Sequence, residues 1–150
     1  MKHLSLALAI FVLIGCGSGT SEMNAVEISV LATNQHPFLV DHDRICVITK
    51  SGKEVNRFNL YPDTGGGLST SNLYELPNEK QYVLIDQNGT WYYIDLSTGN
   101  LVKQEWHWQE KTPNLFIGAF AYNPDTRSYR FIEGIDRPEQ NIYLLKDPNQ

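Results

Sequence analysis

Asp41-His42-Asp43 is the one tight run of metal-ligating and proton-exchanging side chains in this 150-residue chain. A carboxylate beside an imidazole can serve acid–base chemistry or hold a cation. Strand alternation would send Asp41 and Asp43 to one face and His42 to the other, so the three converge only if they lie in a turn. His36 and His107 stand at no ligand spacing. Gly65-Gly66-Gly67 could cradle a phosphate through backbone N–H groups. It lacks the Gly-Lys-Ser/Thr ending of a phosphate loop, and no helix follows it. Ser69 and Ser71 do not form the Gly-x-Ser-x-Gly elbow of a serine hydrolase. Cys46 sits in the apolar run Ile45-Cys46-Val47-Ile48, the setting of an inert buried thiol rather than a nucleophile. These residues predict no catalytic centre, no metal site and no cofactor. A small hydrolase around Asp41, His42 and the glycine loop is the least favoured alternative.

The unusual feature is aromatic. All three tryptophans, Trp91, Trp106 and Trp108, fall within one short stretch, with Tyr82, Tyr92 and Tyr93 beside them. If Asn88-Gly89 makes a two-residue turn, Val83, Ile85, Tyr92 and Ile94 share one face of the hairpin. With a type I turn and a glycine bulge the register shifts by one, and Trp91 and Tyr93 join Val83 and Ile85. The ordinary expectation is the central hairpin of a two-layer core. The functional expectation is that Tyr82, Trp91, Tyr93, Trp106 and Trp108 supply a binding patch for a protein or glycan.

The elements that must position these residues are strands. Short runs rich in Val, Ile, Tyr, Phe and Trp recur between Gly, Pro, Asn and Asp, and no amphipathic helix of useful length is present. Strands are predicted over 25–31, 38–41, 44–49, 54–60, 72–76, 81–86, 90–95, 101–108, 115–122, 128–133 and 141–145. Hairpin turns are predicted at Lys50-Ser51-Gly52-Lys53 and Asp86-Gln87-Asn88-Gly89, and a type I turn at Asn123-Pro124-Asp125-Thr126. The loop 62–71 is predicted to be exposed and mobile. The fold class is all-β: an antiparallel meander forming a small sandwich or barrel. A weak echo pairs 39–52 with 84–99, and Asp95-Leu96-Ser97-Thr98-Gly99 resembles the Asp-x-x-Thr-Gly turn of quinoprotein-type propeller blades. Three such copies cannot close a ring that takes at least four, so the echo reads as repeated meander grammar.

Seventeen acids against 12 bases give a net charge of −5. No Lys/Arg cluster exists to neutralise phosphates, which excludes a nucleic-acid partner and a polybasic membrane patch. The start of the chain carries an address. Lys2 and His3 precede an apolar run from Leu4 to Ile14, too short to span a bilayer but suited to a signal-peptide core. Leu13-Ile14-Gly15-Cys16 then resembles the lipobox of bacterial lipoproteins. That resemblance implies a diacylglyceryl group on the Cys16 thiol, cleavage just before it, and acylation, by palmitate for example, of the new amino group. It divides the chain into a signal peptide (1–15), a lipidated Cys16 with a flexible tether (16–24) and a single β domain (25–150). The tether reaches at most ~25–30 Å when extended, and two or three acyl chains anchor stably. Gly17, in place of an Asp after the Cys, favours the outer membrane.

Together these features predict a lipid-anchored, non-enzymatic envelope protein that binds a protein or glycan. An immunity or inhibitor protein is the specific version, its acidic charge steering it toward a basic toxin or lysozyme-like enzyme. The alternative is a structural or assembly-accessory envelope lipoprotein. Cys16→Ala should leave an unprocessed, non-acylated precursor in fatty-acid labelling. Maturation and labelling of that variant would overturn the address.

Overall fold

The computed structural model describes residues 25–39, 41–64, 69–107 and 110–134. The predicted signal peptide 1–15, Cys16, the predicted tether 16–24, the glycine run 65–67, Trp108 and the strand predicted at 141–145 lie outside them. Within the described residues the chain is all-β and antiparallel. Nine strands run in order: β1 (Val26–Thr33), β2 (Asp43–Lys50), β3 (Lys53–Asn59), β4 (Thr70–Leu76), β5 (Gln81–Asp86), β6 (Thr90–Asp95), β7 (Leu101–Trp106), β8 (Leu115–Asn123) and β9 (Ser128–Glu133). They form a three-stranded sheet, β1-β2-β3, and a six-stranded sheet, β7-β6-β5-β4-β8-β9. The two sheets are open and stacked, a sandwich rather than a barrel. Their unequal division also departs from the equal four-stranded blades of a propeller.

The turns set the register. Lys50 pairs with Lys53, and Ser51 and Gly52 both have positive φ, 53° and 73°. That is the two-residue turn whose twist matches a hairpin. At the β5–β6 turn the bulged register is the one adopted: Gly89 has φ 83°, its N–H bonds the Asp86 carbonyl at 3.0 Å, and Ile85 pairs with Trp91. Trp91 and Tyr93 therefore share a face with Val83 and Ile85, while Tyr82, Leu84 and Asp86 share the other with Tyr92 and Ile94.

One predicted strand does not form. Over 37–39 the chain bends. Pro37 has no N–H to give a ladder. The next two N–H groups, of Phe38 and Leu39, both turn to the His36 ring nitrogen Nδ1, at 3.2 and 2.9 Å.

Two apolar clusters follow from the alternation. The inter-sheet core joins Val30, Cys46, Ile48 and Leu60 of the small-sheet side to Leu73, Leu84, Tyr92, Ile94 and Phe120 of the large sheet. On the large sheet's opposite face Tyr74, Val83, Trp91 and Tyr93 are buried with Leu76, Ile85 and Phe116. The His107 ring lies 4.6 Å from Trp91, and the Lys103 ammonium lies 4.2 Å over the Tyr93 ring. Trp91 is thus a core side chain, 8% exposed. Trp91→Ala should cost about 3–5 kcal/mol in urea unfolding. A loss below about 1 kcal/mol with unchanged circular dichroism would return the ring to the surface.

Candidate functional site

The sandwich has two dissimilar ends. Val26, the β2–β3 turn and the β4–β5 and β6–β7 turns gather at one, the end at which the described residues begin. Thr33, Asp43, the segment 34–42, the segment 60–64, the β5–β6 turn and the β8–β9 turn gather at the other, here called the distal end. Every chemically suggestive residue of the 41–43 cluster lies at the distal end.

Beneath that end sits a buried polar network that sequence reasoning did not find. Arg44 points inward from β2, and Asp86 points inward from the end of β5. Arg44 Nη1 meets Asp86 Oδ1 at 2.6 Å with both side chains wholly excluded from solvent. Arg44 Nη2 donates to Ser71 Oγ, which itself donates to Asp86 Oδ1 at 2.9 Å. Asp86 accepts two backbone N–H groups as well, Gln87 on Oδ1 at 2.9 Å and Tyr61 on Oδ2 at 3.0 Å. The guanidinium also donates to the Tyr61 carbonyl and lies 5.1 Å from the centre of the Tyr129 ring. Three donors crowd Asp86 Oδ1 and one meets Oδ2, so the carboxylate is engaged by its own fold from both oxygens. Its arrangement is that of a clamp between the sheets.

The neighbours of the clamp are ionisable groups held neutral. Burial pushes the Cys46 thiol far up, the Asp86 charge adding to it and Arg44 opposing. Its thiolate is therefore suppressed, as its apolar setting predicts. Burial raises the phenols of Tyr92 and Tyr129 from 10.0 to about 12. Both remain hydrogen-bonding hydroxyls at neutral pH.

The 41–43 cluster is not a turn: His42 forms an antiparallel bridge with Asp63 and Asp43 opens β2, so the three side chains do not converge. His42 is 4% exposed; its ring stacks on Tyr122 at 4.4 Å, and its Nε2 meets the Tyr129 hydroxyl at 2.9 Å. His42 and Asp63 exchange both backbone hydrogen bonds, at 3.0 and 2.9 Å. Asp63 is also buried, and its carboxylate accepts the Ser69 N–H at 3.1 Å. Asp43 is exposed and accepts from Asn34 Nδ2 at 2.7 Å. His36, Asp41, His42, Asp43, Asp63 and Thr64 line a shallow cleft of about 250 Å³. Among the described residues no group of three or more His, Cys, Asp or Glu side chains is placed to hold a metal ion.

The predicted aromatic patch is divided. Trp91 and Tyr93 are in the second core, and Tyr82 packs on the opposite face toward the inter-sheet core. Trp106 stays outside, 61% exposed at the distal end of β7, its indole N–H on the Asn88 carbonyl at 2.9 Å. It is joined at the same end by residues the sequence did not single out: Phe38, Leu39 and Tyr61, 90%, 54% and 50% exposed. Their exposure depends on loop paths, which strand periodicity does not encode.

No protein-family model, no curated protein and no solved structure gives a significant match to the chain. The geometry alone carries the reading.

The clamp makes a stability prediction. Arg44→Leu strands a buried carboxylate and should cost about 3–5 kcal/mol, whereas Arg44→Leu with Asp86→Leu should recover most of the loss. Urea unfolding of the two singles and the double measures the coupling. Additive losses would show that the pair does not act as a unit.

Proposed function

We propose that this protein is a lipid-anchored component of a bacterial envelope, held through Cys16 in the outer membrane where one exists. It acts by binding another protein and not by catalysis. The carrying observation is that solvent-exposed Phe38, Leu39, Tyr61 and Trp106 all lie at the end of the sandwich away from Val26, Phe38 and Leu39 beside the β8–β9 turn and Trp106 on the β7 edge strand. Water-exposed aromatics of this size are costly to leave uncovered and are the side chains that carry binding energy at interfaces. A domain tied at one end presents the other to its surroundings. The acidic balance of the chain favours a basic partner, as an immunity or inhibitor role requires. The interior supports the non-catalytic half of the reading: Asp86 is engaged by Arg44, Ser71 and two backbone N–H groups, Cys46 is suppressed as a nucleophile, and His42 is packed between tyrosines.

A photo-crosslinking amino acid placed singly at Tyr61 and Trp106 in the full-length chain, in intact cells, should give a discrete protein adduct. The same group at Val102, exposed on the half of β7 toward the Val26 end, should not. Equal labelling from Val102, or none from the distal positions, would remove the binding surface.

A further inference from the structure

We infer that Phe38 is the anchor of the distal surface, a preset aromatic knob that enters an apolar pocket on a protein partner whose pocket rim is cationic. This rests on the binding reading above.

The first support is the rigidity of the loop that carries it. An exposed phenylalanine on a slack loop would lose much of its binding energy to ordering. Residues 34–39 are tied on several sides. The His36 N–H bonds the Asp41 carbonyl at 3.0 Å, and His36 Nδ1 takes the N–H groups of both Phe38 and Leu39. From 91 residues away, Arg127 Nη2 donates to the His36 carbonyl at 2.6 Å and also to the Leu39 carbonyl. Gln35 Nε2 answers on the Arg127 carbonyl at 2.7 Å. Arg127 itself sits at a positive φ of 51° in the β8–β9 turn. The β8–β9 turn thus fixes the path that puts the Phe38 ring 90% into water.

The second support is charge. Asp41 and Asp43 line the cleft shared with His36, two residues before the knob, and Asp125 lies in the turn that braces its loop. Two exposed arginines stand against these three acids: Arg127, turned onto the carbonyls of His36 and Leu39, and Arg130 on β9. Lys50, Lys53 and Lys80 all lie at the Val26 end. The acids outnumber the bases at this end, the distal one, which disfavours an anionic lipid surface and a second copy of the same face. A cationic protein surface is complementary to it.

The test places the crosslinking residue at Leu39, next to an intact Phe38, in the full-length lipidated chain in cells. The expected result is one protein adduct whose crosslinked peptide is rich in lysine or arginine. Its yield should fall roughly thirtyfold in Phe38→Ala, drop in Asp41→Asn with Asp43→Asn, and weaken in Arg127→Ala. Circular dichroism of the purified Phe38→Ala domain should be unchanged. An adduct to phospholipid, an adduct to a second copy, or a protein adduct indifferent to Phe38→Ala overturns the inference. An adduct from Trp106 with silence at Leu39 overturns the Phe38 anchor alone; silence at both overturns the binding reading itself.

Discussion

The buried ion pair between Arg44 and Asp86 governs how the two sheets meet. Two charges removed from water cost several kcal/mol each unless geometry and further hydrogen bonds offset it. Here the offset is nearly complete on the carboxylate side: Asp86 collects Arg44, Ser71 and two backbone N–H groups. Those donors come from β2, β4, the segment after β3 and the β5–β6 turn. A rotation or slide of one sheet over the other would break several of these bonds together. Apolar contacts between the sheets are more forgiving, because they are not directional. The pair therefore sets the register of the sandwich, while burial of Val30, Cys46, Ile48, Leu84 and Phe120 supplies the driving force.

The opposite end is closed by shape instead of charge. Gly99 at the β6–β7 turn has φ 76°, and a Cβ there would come within 2.7 Å of Val55 and 3.0 Å of Ile48. Only glycine meets both demands, and the small sheet rests directly on that turn. Asp95 supports the turn by accepting the Ser97 N–H, the Thr98 N–H and the Thr98 hydroxyl, which hold its carboxyl below its usual range. Lys50 adds a bond to the Ser97 carbonyl. Tight apolar contact at one end and a buried polar clamp at the other hold the sandwich at both ends.

Local chemistry explains what could be read in advance. β5, β6 and β9 were legible to the residue, because strong turn residues bracket runs of strand-forming side chains. The two candidate registers of the β5–β6 hairpin could not be separated by sequence, since both faces are aliphatic or aromatic in either one; the Gly89 bulge selects between them. The 38–41 strand failed because a side-chain acceptor, His36, captured the N–H groups that a ladder needs. The clamp was illegible for another reason. Arg44 and Asp86 stand 42 positions apart, and nothing local marks either as buried. The aromatic stretch was read as a unit, yet alternation distributes Tyr82, Trp91 and Trp106 among two cores and the surface.

The clamp also bears on the surface above it. Tyr61 is held through both its backbone groups, its N–H on Asp86 and its carbonyl on Arg44, so its half-exposed ring starts from a fixed backbone. Trp106 is tied to Asn88, within the turn that Asp86 begins. His42 bonds Tyr129, whose ring lies beside Arg44, and Tyr129 stands two residues beyond the Arg127 that braces the Phe38 loop. The exposed aromatics thus stand on loops joined to the ion pair by hydrogen bonds, ring contacts and short stretches of chain. A buried charge pair is weak evidence for stability on its own, since a well-packed apolar substitute serves as well. Its directional bonds do what apolar packing cannot: they fix loop backbones from below while leaving the side chains above free to meet another molecule. The polar interior and the apolar exterior of the distal end are in that sense one arrangement.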